Sequence, residues 1–585
     1  MTSKILSRGR VDRVRHSSEG NMALLVLVDS SSPYHSRSIV DETVLVALEH
    51  FGMPYRLLDL SQQRPDPQLL GNCAGLVIAQ DGLGDRLSEG ETRLIADAIQ
   101  EGMGLVNFDW DLRRYHGPLL EVFGFRGVEP LPYASNLILV PSHDHYITWL
   151  QPAPAFHASK RMVTAVMVKE WRDDVVPLAE AVLGKEQLVY IRHLVPGSAF
   201  EPGNYPIVFA TRWGRGRAVQ WTMNPRLWRA GALGHLNGMD DLFWRSILWA
   251  VRKPFLANAI PPFVTMSFDD CSGRHDFHYL DICTRHGYIP LASLFLDNIR
   301  EKHRSILRGK VEAGEIQVNT HARNYYELQY YQFGVQEYSA GAMRRQFERE
   351  DEFYRWLGVS PCRTVRCHWG EIGVRALPYL KERNRTFICI PCHIGEHKAD
   401  QFLTDAGEGY WPYDTVQCFY DYLPDDNDFY IFGAFDERHL VDFLTGVTVW
   451  LRESPFNDLE KAAGHAASQI RHGLDNGFYA EVLTHEQKLG ALTLEEWDRI
   501  LARASEMTSR YEKIFATHDE IALYLKSKDE SWIAQVEQVD GRVRGVLAGR
   551  TGCPLRLSLF VDVDGGVERR YVQVPTFERQ IQVEA

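Results

Sequence analysis

Long apolar runs are absent from this chain of 585 residues. No segment approaches the ~18 consecutive apolar residues that a membrane-spanning helix requires. The basic, polar N-terminus has no apolar stretch of signal-peptide length either. These absences predict a cytoplasmic protein without a membrane span, and residues 1–21 are expected to form a disordered tail.

Excess positive charge and a cysteine framework are also lacking. The net charge of −13 would repel a phosphate backbone, so we expect no nucleic-acid partner. The nine cysteines are odd in number and widely spaced, which favours reduced thiols in a core over disulfides.

The length is too great for a single hydrophobic core, so several domains are expected. From residue 22 to 255, apolar strands alternate with amphipathic helices, one of them opened by a capping box of Ser88 and Glu91. This alternation predicts a mostly parallel, doubly wound α/β sheet. The three prolines of residues 252–262 then predict an inter-domain linker.

This first domain resembles the class I glutamine amidotransferase-like fold that occurs fused to many carbohydrate enzymes. Active members of that group carry a cysteine nucleophile on a tight strand-to-helix turn. Here the strand of residues 104–109 ends in Asp109, and the only cysteine of the domain, Cys73, precedes a strand. The domain is therefore expected to be non-catalytic. Whether Asp29, Asp109 and His145 line a ligand crevice or are solvated loop residues is left open.

Titratable side chains end four successive predicted strands in the middle of the chain. A parallel barrel gathers such strand ends at one rim, where barrel enzymes place their catalytic groups. Two adjacent carboxylates repel each other unless a cation or a proton separates their roles. A metal ion is therefore a natural partner for the adjacent Asp269 and Asp270. The residues concerned are Asp269 and Asp270, His321, the group Arg366, His368 and Glu371, and His485.

The order of these elements resembles the polysaccharide deacetylases of the NodB-like superfamily. The matching motifs are S-F-D-D, the strand with His321, R-C-H-W-G and L-T-H, and the segment 515–525 resembles the last helix of that superfamily. The resemblance implies a deformed (β/α) barrel over residues 256–526. The short alternating strands that follow predict a small β-sandwich-like domain at 527–585.

Catalytic roles follow from the resemblance residue by residue. Asp269 would be the base that deprotonates water, and Arg366 would orient it and keep it ionised. His485 would be the general acid that protonates the leaving nitrogen. Asp270 would bind a divalent metal, for which zinc is the expected ion.

The second motif departs from the superfamily pattern of two histidines four residues apart. Asn319 and Arg323 occupy those positions, and His321 lies between them on the same strand face. His321 can therefore take over as a metal ligand. His368 is the candidate for the third ligand, with a substrate contact as the alternative.

Further substrate contacts are expected from Trp369, Glu371, Asn319 and Arg323. The segment 407–430 is rich in aromatic and acidic residues and would add Trp411 and Tyr413, although it could equally be a surface loop packed by its own aromatics. A second zinc-like spacing occurs at Cys389, Cys392, His393 and His397, and we favour a structural role for it.

Three functions fit this sequence. The first is metal-dependent hydrolysis of an acyl group, such as acetyl, from an amino sugar or polysaccharide. The second is metal-independent hydrolysis of C–N bonds in small cyclic amides. The third is carbohydrate binding without catalysis. A homo-oligomer is left open.

Overall fold

The computed structural model describes most residues of the chain. They are 16–32, 37–131, 136–152, 154–185, 201–229, 232–235, 238–332, 337–389, 393–394, 420–423, 426–433, 441–442, 444, 447–448, 458–564 and 566–585. The fold is mixed α/β with several sheets. It divides into two compact units, of which one comprises residues 16–259 with 530–585 and the other residues 260–529.

A nine-stranded sheet forms the core of the first unit. Its strands, in spatial order, are Tyr55–Asp59, Leu24–Val28, Gly75–Ile78, Gly104–Asn107, Gly216–Trp221, Gly203–Trp213, Val176–Leu183, Leu137–Val140 and Ala155–Ala158. The first five are parallel and the last four pair antiparallel. Three of the parallel strands are buried at every residue, as expected when both sheet faces are covered.

Helices follow the parallel strands of this unit, as the alternation predicts. They span Arg37–Val40, Asp41–Leu45 (a π-helical turn), Val46–His50, Pro67–Gly71, Glu89–Gln100, Gly117–Glu121 and Asp240–Ala250. The capping box of Ser88 and Glu91 is present. A separate antiparallel pair joins Arg126–Leu131 to Ala165–Glu170. The closer resemblance to the amidotransferase-like fold stays a prediction.

The C-terminal strands build two small antiparallel sheets in this same unit. Their bounds are Ser531–Val539, Arg542–Arg550, Leu555–Val563, Gly566–Val574 and Glu578–Glu584. The strand Phe255–Ala257 pairs with Leu555–Val563 and is wholly buried. The boundary between the two units falls within the predicted linker of residues 252–262. The segment also forms a strand, because its apolar Phe-Leu-Ala run pairs with a strand far away in sequence. The disordered tail and the boundaries of the three predicted domains stay predictions.

Two sheets form the second unit. The first is parallel, in the order Gln317–Ala322, Leu291–Phe295, Phe263–Cys271 and Ala480–His485, with Ile514–Phe515 pairing to the start of Phe263–Cys271. The second has the order Thr364–Val365, Phe387–Cys389, Asp426–Phe432 and Tyr420–Leu423, the last strand antiparallel. Two short pairs join Glu371–Ile372 to His393–Ile394 and Val441–Asp442 to Val447–Thr448.

Helices connect and cover these strands. They span His278–Arg285, Glu301–Glu312, Ala340–Leu357, Leu377–Glu382, Leu459–Asp475, Glu486–Leu489, Leu494–Met507 and His518–Asp529.

The two sheets meet beside the strand Gln317–Ala322. The amide of Cys362 donates to the carbonyl of Val318 at 2.9 Å, and Asn319 Nδ2 donates to the carbonyl of Arg366 at 2.8 Å. Within the described ranges these contacts join the sheets without a continuous ladder around a barrel. The deacetylase-type barrel stays a prediction. None of the described helices is long and apolar enough to cross a membrane.

Candidate active site

The two adjacent aspartates lie at the end of a strand that is buried along its whole length, Phe263–Cys271. Asp270 adopts a left-handed backbone conformation with φ of 57°, and the pairing register shifts between Phe268 and Cys271. Such an irregularity breaks the alternation of side chains along a strand. Consecutive carboxylates can therefore serve the same site.

Asp269 is held as a carboxylate by Arg366. Arg366 Nε donates to Asp269 Oδ1 at 2.8 Å, and both side chains are buried. Burial alone would raise the pKa of Asp269, but the positive charges of Arg366, His321 and His485 outweigh it and hold the pKa below its usual value. His485 lies beside Asp269 in register on the neighbouring parallel strand.

Asp270, His321 and His368 form a buried cluster of three metal-ligating groups. Asp270 Oδ1 lies 3.2 Å from His321 Nε2 and 3.0 Å from His368 Nδ1, and the two nitrogens are 3.3 Å apart. His321 Nδ1 faces the carbonyl of Arg366 at 3.2 Å. That contact favours the proton on Nδ1 and leaves the lone pair of Nε2 directed at the cluster.

The donor set fits a divalent cation. Asp270 Oδ1 is buried and accepts no hydrogen bond of adequate geometry within the described residues, despite the two nearby nitrogens. Burial raises the pKa of Asp270, but the contacts from His321 and His368 bring it well below its usual value. Burial lowers the pKa of His368, which keeps its imidazole neutral. One carboxylate and two imidazoles are a common set of protein ligands in catalytic zinc sites.

The buried carboxylate of Glu481 holds the guanidinium of Arg366 in place. Arg366 Nη1 donates to Glu481 Oε1 at 3.1 Å, Ser267 Oγ donates to the same oxygen at 2.5 Å, and His518 Nε2 lies 3.1 Å from it. Burial opposes the charge of Glu481, yet His518 and Arg366 bring its pKa to about 2. Arg366 Nη1 also donates to Cys389 Sγ at 3.4 Å. Cys389, Glu481 and His518 lie close enough together to bind a metal ion, but the guanidinium of Arg366 already provides a positive charge among them. This arrangement supports a structural role for Cys389.

Glu486 fixes the loop that follows Asp270. Its carboxylate accepts hydrogen bonds from three consecutive backbone amides, those of residues 272–274, at 2.5, 3.1 and 3.1 Å. Tyr279 Oη donates to it at 3.0 Å. Burial outweighs these hydrogen bonds and raises the pKa of Glu486 to about 7.

The predicted substrate contacts are placed unevenly. Asn319 is fully buried, and its amide donates across the two sheets to the carbonyl of Arg366. Arg323 pairs with Asp297, which lines the same cavity as Asp270. Trp369 is half-buried, has a left-handed φ of 60°, and contacts the ring of His368 with centroids 5.4 Å apart.

Other predicted residues are placed only in part or not at all. The backbone of Glu371 begins the short strand Glu371–Ile372. Trp411 and Tyr413 lie outside the described residues, as do Cys392 and His397. Their proposed roles stay predictions.

Asp29 and Asp109 are buried, so the alternative of solvated loop residues is wrong for both, and the ligand crevice stays a prediction. His145 accepts a hydrogen bond from the amide of Ile147 at 3.2 Å. Asp109 is buried and accepts hydrogen bonds from the amides of Gly82 and Gly84 and from Tyr115 Oη. Asp29 is buried and pairs with Arg86 at 2.5 Å.

Sequence reasoning missed several residues near the cluster. Phe295 and Tyr325 pack their rings against His368, with centroids 5.0 and 5.3 Å apart. The strand Leu291–Phe295 also ends in an acidic residue, Asp297, two positions later. The strand-end rule that identified His321 would have identified Asp297, whereas nothing local distinguishes Glu481 or Glu486.

Comparison with known proteins gives only distant similarities. No protein-family model matches the chain, and no curated protein matches it. A solved structure from Parabacteroides distasonis, named a "putative glycoside hydrolase/deacetylase", aligns at 10% identity over 54% of this chain and 86% of its own, with a TM-score of 0.30.

Two glycosidases align over less of their own length. One is a β-galactosidase from Rahnella sp. R3, with 14% identity over 41% of this chain and a TM-score of 0.26. The other is an exo-β-1,4-mannosidase from an Opitutaceae bacterium, with 11% identity over 35% of this chain and a TM-score of 0.22. The chain spans 34% and 31% of those proteins, about a third of each. These neighbours are carbohydrate-active hydrolases, but scores this low assign no function.

Proposed function

We propose that residues 260–529 form a metal-dependent hydrolase that removes an acyl group, such as acetyl, from an amino sugar or polysaccharide. The observation that carries the proposal is the cluster of Asp270, His321 and His368, with its buried and otherwise unsatisfied carboxylate oxygen. A divalent metal, with zinc as the expected ion, would polarise the acyl oxygen and acidify bound water when held there.

The remaining chemistry belongs to the side chains around the cluster. Asp269, kept ionised by Arg366, accepts a proton from the attacking water as the new C–O bond forms. His485, beside Asp269 in register, donates a proton to the leaving nitrogen as the C–N bond breaks. Arg366 acts through Asp269 and is a positioning residue.

The activity test measures acetate released from N-acetylated amino sugars and their oligomers. Asp269→Asn removes the base while keeping its size, so we expect the rate to fall by a factor of about 10² to 10⁴. The matched control is Asp498→Asn, which changes a partly exposed aspartate paired with His286 and should keep the rate. Undiminished release from Asp269→Asn would contradict the proposal.

The same purified proteins allow a metal test that does not depend on turnover. Elemental analysis of the wild type should show about one ion per chain, with a large loss in His321→Ala and in His368→Ala. His286→Ala, remote from the cluster, should retain the ion. Full metal content in both His321→Ala and His368→Ala would contradict a metal site at this cluster.

The two alternative functions lack a comparable observation. A metal-free amidohydrolase has no need for a carboxylate oxygen facing two imidazole nitrogens. A carbohydrate-binding protein has no need for an ionised Asp269 next to such a cluster. Both remain distinguishable, since the first predicts turnover without metal and the second predicts glycan binding without turnover.

A further inference from the structure

A cavity of about 650 Å³ opens beside Asp270. Phe295 and Tyr325 form an aromatic wall, and the loop fixed by Glu486 forms another side. Its volume lies in the range of sites that bind small ligands. Its charges indicate which kind of ligand fits.

The acidic groups that line this cavity are all engaged. Asp270 belongs to the histidine cluster, and Glu486 accepts three backbone amides. Asp297 pairs with Arg323 and accepts a hydrogen bond from Asn324. None of these three carboxylates forms an ion pair with Arg274 or Arg300.

Three lysine and arginine side chains line the cavity, as many as the carboxylates, but only one of the three pairs with a carboxylate among the described residues. Lys302 pairs with Asp276 at 2.5 Å, but Arg274 and Arg300 have no carboxylate partner in the described part of the chain. Both arginines are exposed to solvent, so their charge costs little while the cavity is empty.

The backbone that carries Arg274 is preorganised. Its own amide donates to Glu486, and the preceding Gly273 has φ of 94°, with space for a Cβ blocked by the ring of His303 at 2.2 Å. A rigid loop lowers the entropy that a guanidinium loses when it binds a ligand. Planar guanidinium groups bind carboxylate and phosphate in bidentate fashion.

We propose that this cavity recognises an anionic group, a carboxylate or a phosphate, on the acylated substrate, through Arg274 and Arg300. The substrate class is then an acidic N-acyl amino sugar rather than a neutral one. This inference rests on the proposed hydrolase function for its substrate, but the charge of the cavity can be tested by binding alone.

The test is calorimetric titration of the full chain with three probes: N-acetylglucosamine, N-acetylmuramic acid, which adds a carboxylate, and N-acetylglucosamine 6-phosphate. We expect at least one acidic probe to bind about tenfold or more tightly than the neutral probe, and its affinity to fall with added salt. The tighter of the two acidic probes identifies the preferred anion.

Variants then locate the effect. Arg274→Gln and Arg300→Gln should each weaken the acidic probe by about fivefold or more and leave the neutral probe unchanged. The matched control is Arg304→Gln, in the helix that directly follows Arg300. Arg304 pairs with Glu301 and does not line the cavity. It should behave as the wild type.

The outcomes separate the two proposals. Equal binding of acidic and neutral probes, no detectable binding of either acidic probe, or unchanged affinity in both arginine variants overturns the anion site. Arginine-dependent binding without acetate release from any substrate leaves the anion site standing and contradicts the hydrolase.

Discussion

Single residues in unusual conformations surround the proposed metal cluster. Asp270 and Trp369 both have φ near 60°, and Trp369 directly follows the proposed ligand His368. Non-glycine residues in the left-handed region cost of order 1 kcal/mol or more and persist where the surroundings fix them. Here the Glu486 hydrogen bonds fix the loop after Asp270, and contacts with Tyr325 accompany Trp369.

Asp109 in the first unit gives a pH-dependent prediction at the same scale. Burial, together with the nearby Asp81 carboxylate, raises the pKa of Asp109 to about 7. The folded chain then holds this proton more tightly than the unfolded chain. The protonated Asp109 therefore contributes fully to the free energy of unfolding below pH ~4, and this contribution is lost as the pH rises to ~7. The loss is at most about 1.4 kcal/mol per pH unit.

Amide hydrogen exchange of peptides covering 75–86 and 104–115 measures this effect locally. Protection in the wild type should fall between pH 5 and 7 more steeply than in Asp109→Asn, which has no proton to lose. The control is Asp59→Asn: although burial opposes it, hydrogen bonds from Ser30 and Ser61 lower the pKa of Asp59 to about 2, outside this interval. Identical slopes in wild type and Asp109→Asn would contradict the prediction.

The loop of residues 271–277 is the element on which the proposed site depends most. It holds Asp270 at one end and carries Arg274 into the cavity, and Glu486 fixes it with both carboxylate oxygens. Glu486 begins a short helix directly after His485, so the proposed acid and the residue that fixes the loop are neighbours at the junction of a strand and a helix.

Glu486→Gln tests this clamp with little change of size. One oxygen becomes an NH₂ group facing a backbone donor, which costs about 1–3 kcal/mol. We expect faster hydrogen exchange of residues 272–274 and about tenfold weaker metal binding. Glu495→Gln, an exposed change on the following helix, is the control. Unaltered exchange in the loop would show that Glu486 does not hold it.

At the scale of the whole molecule, the C-terminal strands complete the first unit. The strand Phe255–Ala257 lies in one sheet with Leu555–Val563 and Gly566–Val574, and Leu256 and Leu557 are both fully buried. Residues more than 290 positions apart therefore pair within one sheet. The strand Phe255–Ala257 and the C-terminal strands should therefore unfold together.

Leu557→Ala tests this cooperation. Removal of a buried leucine side chain should lower the free energy of unfolding by about 2–5 kcal/mol. Hydrogen exchange should accelerate in 255–257 as well as in 555–563. Val563→Ala, at a strand end and 40% exposed, should have little effect. Acceleration confined to 555–563 would mean that the tail unfolds independently.

The sequence by itself determined the elements and the chemistry available to them. Apolar periodicity located the buried strands, and Asp269, Asp270, His321 and His485 lie at strand ends as expected, because these signals are local. It also identified His368 as a candidate ligand. Tertiary structure alone decided that three of these groups meet within hydrogen-bonding distance, that Glu481 and His518 support Arg366, and that Arg274 and Arg300 share a cavity. Those contacts depend on strand pairing across 200 residues and on left-handed turns, and neither leaves a pattern in nearby residues.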